Sequence, residues 1–88
     1  MFTVYVLRSV TSGRLYIGQT EDFQRRLQEH NQGLARYTRG RGPWEPVLTE
    51  DYDTRSKAMR REKFLKSGMG REHLKALLSR RAGPPQAD

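Results

Sequence analysis

The sequence predicts an α+β domain: a small three-stranded antiparallel sheet flanked by helices, in the order strand, strand, helix, strand, helix, helix. Three observations carry this reading. Two short β-branched and aromatic runs near the N-terminus are separated by a turn-rich segment. Three later segments repeat apolar residues at helical spacing. A further apolar run follows a long break rich in glycine and proline.

Residues 2–8, with Val4, Val6, Leu7 and Tyr5, are too short a span for a helix and read as the first strand. Ser9 to Gly13 is the turn, and Arg14 to Gln19 the second strand of a hairpin. Alternation sends Leu15 and Ile17 to one face and Tyr16 to the other. Tyr5 and Tyr16 then share a face if the hairpin register allows it.

Thr20 is the expected N-cap of a helix over residues 21–32, with Glu21 and Asp22 at the positive end of its dipole and Gly33 as its stop. At 100° per residue, Phe23, Leu27 and Leu34 fall within about 40° of one another, with His30 in the same arc and Arg26 at its edge. Arg25, Gln28, Glu29 and Gln32 lie on the far side. Arg25 is therefore expected to be solvated and Arg26 to be aimed at the protein.

Residues 33–46 break all periodicity and read as a loop of unusual length for a compact domain. It interleaves Arg36, Arg39 and Arg41 with Tyr37 and Trp44, charge and stacking planes that suit nucleic acid. Residues 47–52 read as a third strand, an edge strand given Pro46. A second helix, capped by Asp53 or Thr54, runs to Ser67 and stops at Gly68. Its apolar arc is Ala58, Met59 and Leu65, with Glu62 inside the arc and Arg60, Arg61, Lys63 and Lys66 around it. Phe64 points away from that arc and has no visible partner. Residues 70–81 form a last helix with a Leu74, Leu77 and Leu78 stripe, and 82–88, with Pro84 and Pro85, read as a disordered tail. The chain is one domain over 1–81.

Composition limits what this domain does. A chain of 88 residues buries only about 60 to 65% of its unfolded surface. With 34% hydrophobic residues and no cysteine, its core must be compact and is helped by neither disulfides nor thiolate metal sites. No run of apolar residues is long enough to span a membrane and the N-terminus reads as strand, so a cytoplasmic protein is expected. The net charge of +7 lies wholly in the C-terminal part: residues 1–53 carry seven Lys/Arg and seven Asp/Glu, residues 54–88 ten and three. Such a surface is either a solvated face or an attractor of polyanions.

Glu62 is the informative residue. A carboxylate in an apolar stripe must be paired or bound to a cation. Arg26 or a neighbouring arginine would serve as the first, a divalent metal as the second. Arg26 and His30, at i and i+4, project side by side from one helix next to the strand that carries Tyr16.

In this set the chain resembles the GIY-YIG nuclease superfamily. Val4-Tyr5-Val6 stands where the family has its first motif, with the tyrosine retained, and Tyr16-Ile17-Gly18 reproduces the second. Arg26, His30 and Glu62 fall where the family has its arginine, histidine and metal-binding glutamate. The resemblance implies divalent-metal-dependent phosphodiester cleavage, with Glu62 holding one Mg²⁺ or Mn²⁺ and Arg26 clamping the phosphate. It also implies Tyr16 as general base with His30 as the competing base, and Tyr5 and His30 orienting water and phosphate. An asparagine ligand used near the C-terminus of some relatives has no counterpart after Asn31.

The expected function is a metal-dependent endonuclease acting on DNA by structure rather than sequence, because 88 residues leave no room for a separate recognition domain. The competing expectation is a non-catalytic nucleic-acid-binding module using Arg36, Arg39, Arg41, Trp44, Arg60, Arg61 and Lys66. A protein partner that supplies targeting fits either.

Overall fold

The computed structural model describes residues 1–82. Strands β1 (Phe2–Ser9), β2 (Leu15–Thr20) and β3 (Trp44–Tyr52) form one antiparallel sheet in the order β2-β1-β3. Helix α1 (Phe23–Asn31) lies between β2 and β3 in sequence, and α2 (Arg55–Lys66) and α3 (Gly68–Ala82) follow. This is the expected α+β architecture.

β1 is the central strand, and Val4, Tyr5, Val6 and Leu7 are all buried. A strand covered on both faces divides the core in two. Val4 and Val6 join Ile17, Ala58, Leu65 and Leu74 beneath α2 and α3. Tyr5 and Leu7 join Trp44, with Tyr16, Phe23 and Leu27 packed against them, beneath α1 and the loop that follows it. Each half is small, as a chain this short requires.

The boundaries depart from expectation where tertiary partners intervene. α1 starts at Phe23, because Asp22 and not Thr20 is the N-cap: its side chain accepts from the Arg25 N–H. Thr20 Oγ1 instead accepts from the Asp22 N–H and shapes the turn before the helix. The helix ends at Asn31 and Gly33 takes φ +78°, so the α1 periodicity never reaches Leu34, which is 70% exposed. β3 begins at Trp44, which shortens the loop; β1 supplies the ladder that recruits Trp44, Glu45 and Pro46. Pro46 sits on an edge strand as expected, beside an irregular step in the register between Val6 and Leu7.

Thr54 caps α2, accepting from the Lys57 N–H. Ala58 and Leu65 are fully buried, whereas Met59 is 54% exposed: the buried stripe is narrower than the apolar arc. Phe64 finds its partners in the third helix and in its own, against His73 with Arg61 over its ring. α3 starts at Gly68 rather than residue 70, and Gly70 lies so close to the Phe64 carbonyl that a Cβ there has no space. Helix continues through Ala82; the rest of the expected tail, 83–88, lies outside the described residues.

Candidate active site

Register answers the first question about the site. Tyr5 pairs with Gly18 and Leu7 with Tyr16, so Tyr5 and Tyr16 occupy the same face on neighbouring strands, diagonally related. Gly18 is where it is because the Tyr5 ring crosses it: a Cβ at Gly18 would lie 2.6 Å from the Tyr5 hydroxyl oxygen and 2.8 Å from Cζ. α1 covers this face with His30, whose ring centroid lies 5.0 Å from that of Tyr16 and 5.7 Å from that of Tyr5.

His30 is only 2% exposed and both its ring nitrogens are engaged. Nε2 meets the Tyr5 hydroxyl at 2.9 Å and Nδ1 meets Thr38 Oγ1 at 2.6 Å. Burial, strengthened by the nearby Arg26 charge, lowers the His30 pKa, so the ring is neutral at pH 7. Burial pushes the Tyr5 phenol up to about 12, although Arg26 draws it down in part and the charges of Tyr16 and Glu62 add to the rise. Tyr5 therefore keeps its proton and donates to Nε2, which leaves Nδ1–H to donate to Thr38. This chain of bonds engages both ring nitrogens of His30.

Tyr16 is the free phenol of the cluster. It is half-buried, and its hydroxyl forms no hydrogen bond among the described residues. Tyr37 lies over it at 5.5 Å between centroids, and Arg41 lies over Tyr37. Arg26 points toward the protein as periodicity requires, with 37% of its side chain exposed against 72% for Arg25. Its Nη1 pairs with Glu29 Oε1 at 2.9 Å. Glu29 thus belongs to the site's edge and not to the solvated back of the helix, and it replaces Glu62 as the partner of Arg26.

Glu62 comes from the other layer. It accepts from Gln19 Nε2 at 3.1 Å and from Lys66 Nζ at 2.7 Å, with 21% of its side chain exposed. Gln19 follows Gly18 on β2, and its side chain takes the face opposite Tyr16. Glu62 is therefore tied to the edge strand of the site from behind, yet near enough for its charge to act on Tyr5. Its ion-pair partner is a lysine one turn along the same helix, not an arginine.

The expected nucleic-acid contacts divide. Arg36, Tyr37, Arg39, Arg41 and Arg60 are exposed. Trp44 is 4% exposed, with its indole N–H donating to the Thr38 carbonyl, so it is a core residue and offers no stacking plane; Tyr37, 62% exposed, is the loop's available ring. Arg61 is committed to Glu50, and Lys66 to Glu62. Two residues to which the sequence gives no role hold the loop. Asn31 bonds the Trp44 backbone in both directions, at 2.7 Å to its N–H and 3.1 Å to its carbonyl. Thr38 ties the same loop to His30 and Trp44. An asparagine at a helix end followed by Gln-Gly is a weak signal for the first; nothing local marks the second.

A family model described as the GIY-YIG catalytic domain matches residues 1–75. The chain belongs to the GIY-YIG family. Its relatives include a UPF0213 protein of Halobacterium salinarum, 49% identical over 67 residues that span 75% of this chain and 86% of the relative. A UPF0213 protein of Staphylococcus aureus is 35% identical over 78 residues, 88% of this chain and 94% of its own length. The solution NMR structure of a UPF0213 protein from Bacillus halodurans covers 96% of this chain and 89% of its own, at 39% identity and a TM-score of 0.55. The GIY-YIG family is one of nucleases that generally use divalent ions, so this is a nuclease-family domain with nucleic acid as its substrate class. No helix among the described residues is long and apolar enough to cross a membrane.

The donor set fits one hard ion of this kind. Among the described residues no three His, Cys, Asp or Glu side chains gather, which is unsuited to an all-protein cage. Mg²⁺ keeps several waters and takes one or two carboxylates plus substrate phosphate, and the single carboxylate of Glu62 is compatible with that need.

The pH dependence of stability follows from Tyr5. Its folded pKa, about 12, stands above the ordinary 10.0, so its contribution is complete below pH 10 and is lost as pH rises through about 12. A spectrophotometric alkaline titration at the tyrosinate band is expected to show one phenol ionising last, absent from Tyr5→Phe. A wild-type titration with all four tyrosines ionising together near pH 10 would contradict the burial argument.

Proposed function

We propose that this domain is a divalent-metal-dependent endonuclease that hydrolyses DNA phosphodiesters, selecting by structure rather than sequence. The observation that supports it is the convergence of Tyr5, Tyr16, Arg26 and His30 on one sheet face. Glu62 stands behind the same edge strand.

Hydrolysis requires a deprotonated nucleophile, neutralised phosphate oxygens and a stabilised leaving alkoxide. Arg26 binds the phosphate: Glu29 takes Nη1, and the remaining face of the planar fork is free for oxygen. Tyr16, whose hydroxyl has no competing partner, acts as the base in its phenolate form, taking the water's proton and becoming the neutral phenol. The neutral Tyr5–His30–Thr38 chain fixes the walls of the pocket and the position of Tyr16. Glu62 would hold the divalent ion, which would supply charge neutralisation for phosphate and leaving group. Arg36, Arg39, Arg41 and the Tyr37 ring grip flanking backbone and bases.

A second reading is a binding module with a nuclease-like fold, favoured by one observation: Lys66 already neutralises Glu62. The deciding experiment incubates the full chain with plasmid, single-stranded and branched DNA in Mg²⁺ or Mn²⁺. Cleavage abolished by chelator supports the enzyme; inertness on every substrate with both ions leaves the binding module.

Either reading gives the loop the same task. Arg39→Ala with Arg41→Ala is expected to weaken DNA affinity and to lower the slope of log affinity against log salt by about 1 to 2, two phosphate contacts being removed. An unchanged slope in a fluorescence-anisotropy titration removes the loop from the footprint.

A further inference from the structure

Gln19 carries an unexplained atom. Its Nε2 donates to Glu62 at 3.1 Å, but its carbonyl Oε1 is the single buried side-chain polar atom without a hydrogen-bond partner among the described residues. Buried acceptors are satisfied as a rule, so an orphan beside a carboxylate calls for a ligand. Gln19 and Glu62 also line one open depression of about 830 Å³, ringed by Arg55, Arg60, Lys63 and Lys66. The depression opens the pair to solvent.

We propose that Gln19 is the second protein oxygen donor to the divalent ion that Glu62 holds, its amide turning so that Oε1 faces the carboxylate when the ion binds. The proposal rests on the metal-dependent reading above and specifies its ligand set. Three observations carry it. First, no partner anchors Oε1, so turning the amide breaks one hydrogen bond, to Glu62, which the ion replaces, and puts Nε2 in the buried position that Oε1 leaves. Second, the turned oxygen takes the place of Nε2, 3.1 Å from Glu62 Oε1. Two bare acceptors repel at that separation, but octahedral bonds of about 2.1 Å put adjacent oxygens about 3.0 Å apart. The spacing already present as a hydrogen bond is the one that an edge of a Mg²⁺ or Mn²⁺ octahedron requires.

Third, the other Glu62 oxygen holds the Lys66 ammonium at 2.7 Å, on a side chain that is 50% exposed. A cation thus stands in the carboxylate's cation position on a long, flexible arm. A divalent ion displaces it, and the freed ammonium faces the same depression. Lys66 is a competitor for the site in the absence of metal.

The test is Mn²⁺ binding to the full chain, with free ion counted by electron paramagnetic resonance and folding checked by circular dichroism. Saturable binding is expected in the wild type and lost in Glu62→Gln. Gln19→Leu is expected to weaken it about tenfold or more, as loss of one ligand does. Gln19→Glu, which adds an anionic oxygen at the same reach, is expected to tighten it, and Lys66→Met to tighten it by removing the competitor. Binding that depends on Glu62 but is the same within twofold in Gln19→Leu, or is not tightened by Gln19→Glu, overturns the Gln19 assignment and leaves the nuclease reading standing. A wild type that binds no Mn²⁺ overturns the assignment and the metal role of Glu62 together.

Discussion

Glu62→Gln is expected to abolish metal-dependent cleavage, by about 10³-fold or beyond measurement, while the protein stays folded and still binds DNA. The size follows from what the carboxylate does. A metal acting as Lewis acid contributes several kcal/mol to a phosphoryl transition state, and about 1.4 kcal/mol is tenfold in rate. The cost in stability is small. Glu62 contributes an i,i+4 pair with Lys66 at a half-exposed position and one bond from Gln19, and such pairs contribute a few tenths of a kcal/mol. The measurement combines cleavage of a labelled substrate in Mg²⁺, thermal melting, and DNA binding by anisotropy without metal. Cleavage above a tenth of wild type would refute the role of Glu62, and a large fall in melting temperature would return it to the ranks of structural ion pairs.

Gly18→Ala has the second large effect, and it acts on the fold and the site at once. The new Cβ falls 2.6 Å from the Tyr5 hydroxyl oxygen, 2.8 Å from Cζ and 3.2 Å from a Tyr16 ring carbon. The Tyr5 ring cannot simply yield. It is 1% exposed, packed on Phe23 at 5.4 Å between centroids, and tethered to His30 through its hydroxyl. Relief requires the strand pair to separate or the ring to leave its rotamer, which costs about 1 to 3 kcal/mol. Urea denaturation measures that loss, with Val10→Ala, at a 59% exposed position, as a neutral control. Displacing Tyr5 also breaks its bond to His30 and exposes the phenol, so the last-ionising tyrosine of the alkaline titration moves back toward 10.0. Unchanged stability and an unchanged titration would mean that the ring does not need the space glycine leaves.

These two residues illustrate how unevenly the sequence discloses the molecule. Tyr16 is legible because strand alternation is strict: its face opposes Leu15 and Ile17 wherever the strand lies. The Arg25 and Arg26 asymmetry is legible for the same reason, helix geometry being indifferent to what lies beneath. His30 was visible as a residue of the inward arc, but its role was not. Its two partners, Tyr5 and Thr38, stand 25 positions before it and 8 after, and only the folded loop brings Thr38 to Nδ1. Without that bond His30 has a free nitrogen; with it, both ring nitrogens are engaged.

Trp44 shows the same limit from the other side. Interleaved with arginines in a segment without periodicity, it has the local marks of a stacking platform. β1 decides otherwise, because pairing Ser9 with Trp44 extends β3 backward and carries the indole into the core. Leu34 and Met59 fall to related causes: one lies beyond the helix stop, and the other lies on a flank of α2 that α3 and the sheet leave uncovered.

By itself the sequence determined the element order, the sheet faces, the inward aim of Arg26 and the set of polar residues that marks the GIY-YIG family, since each depends on local periodicity or on residue type. The tertiary structure alone decided who partners whom: Lys66 and Gln19 for Glu62, Glu29 for Arg26, Tyr5 and Thr38 for His30. Pairings of side chains far apart in sequence, or competing within one helix turn, depend on loop closure and on which polar groups burial leaves unsatisfied, and neither is written in the spacing of the residues themselves.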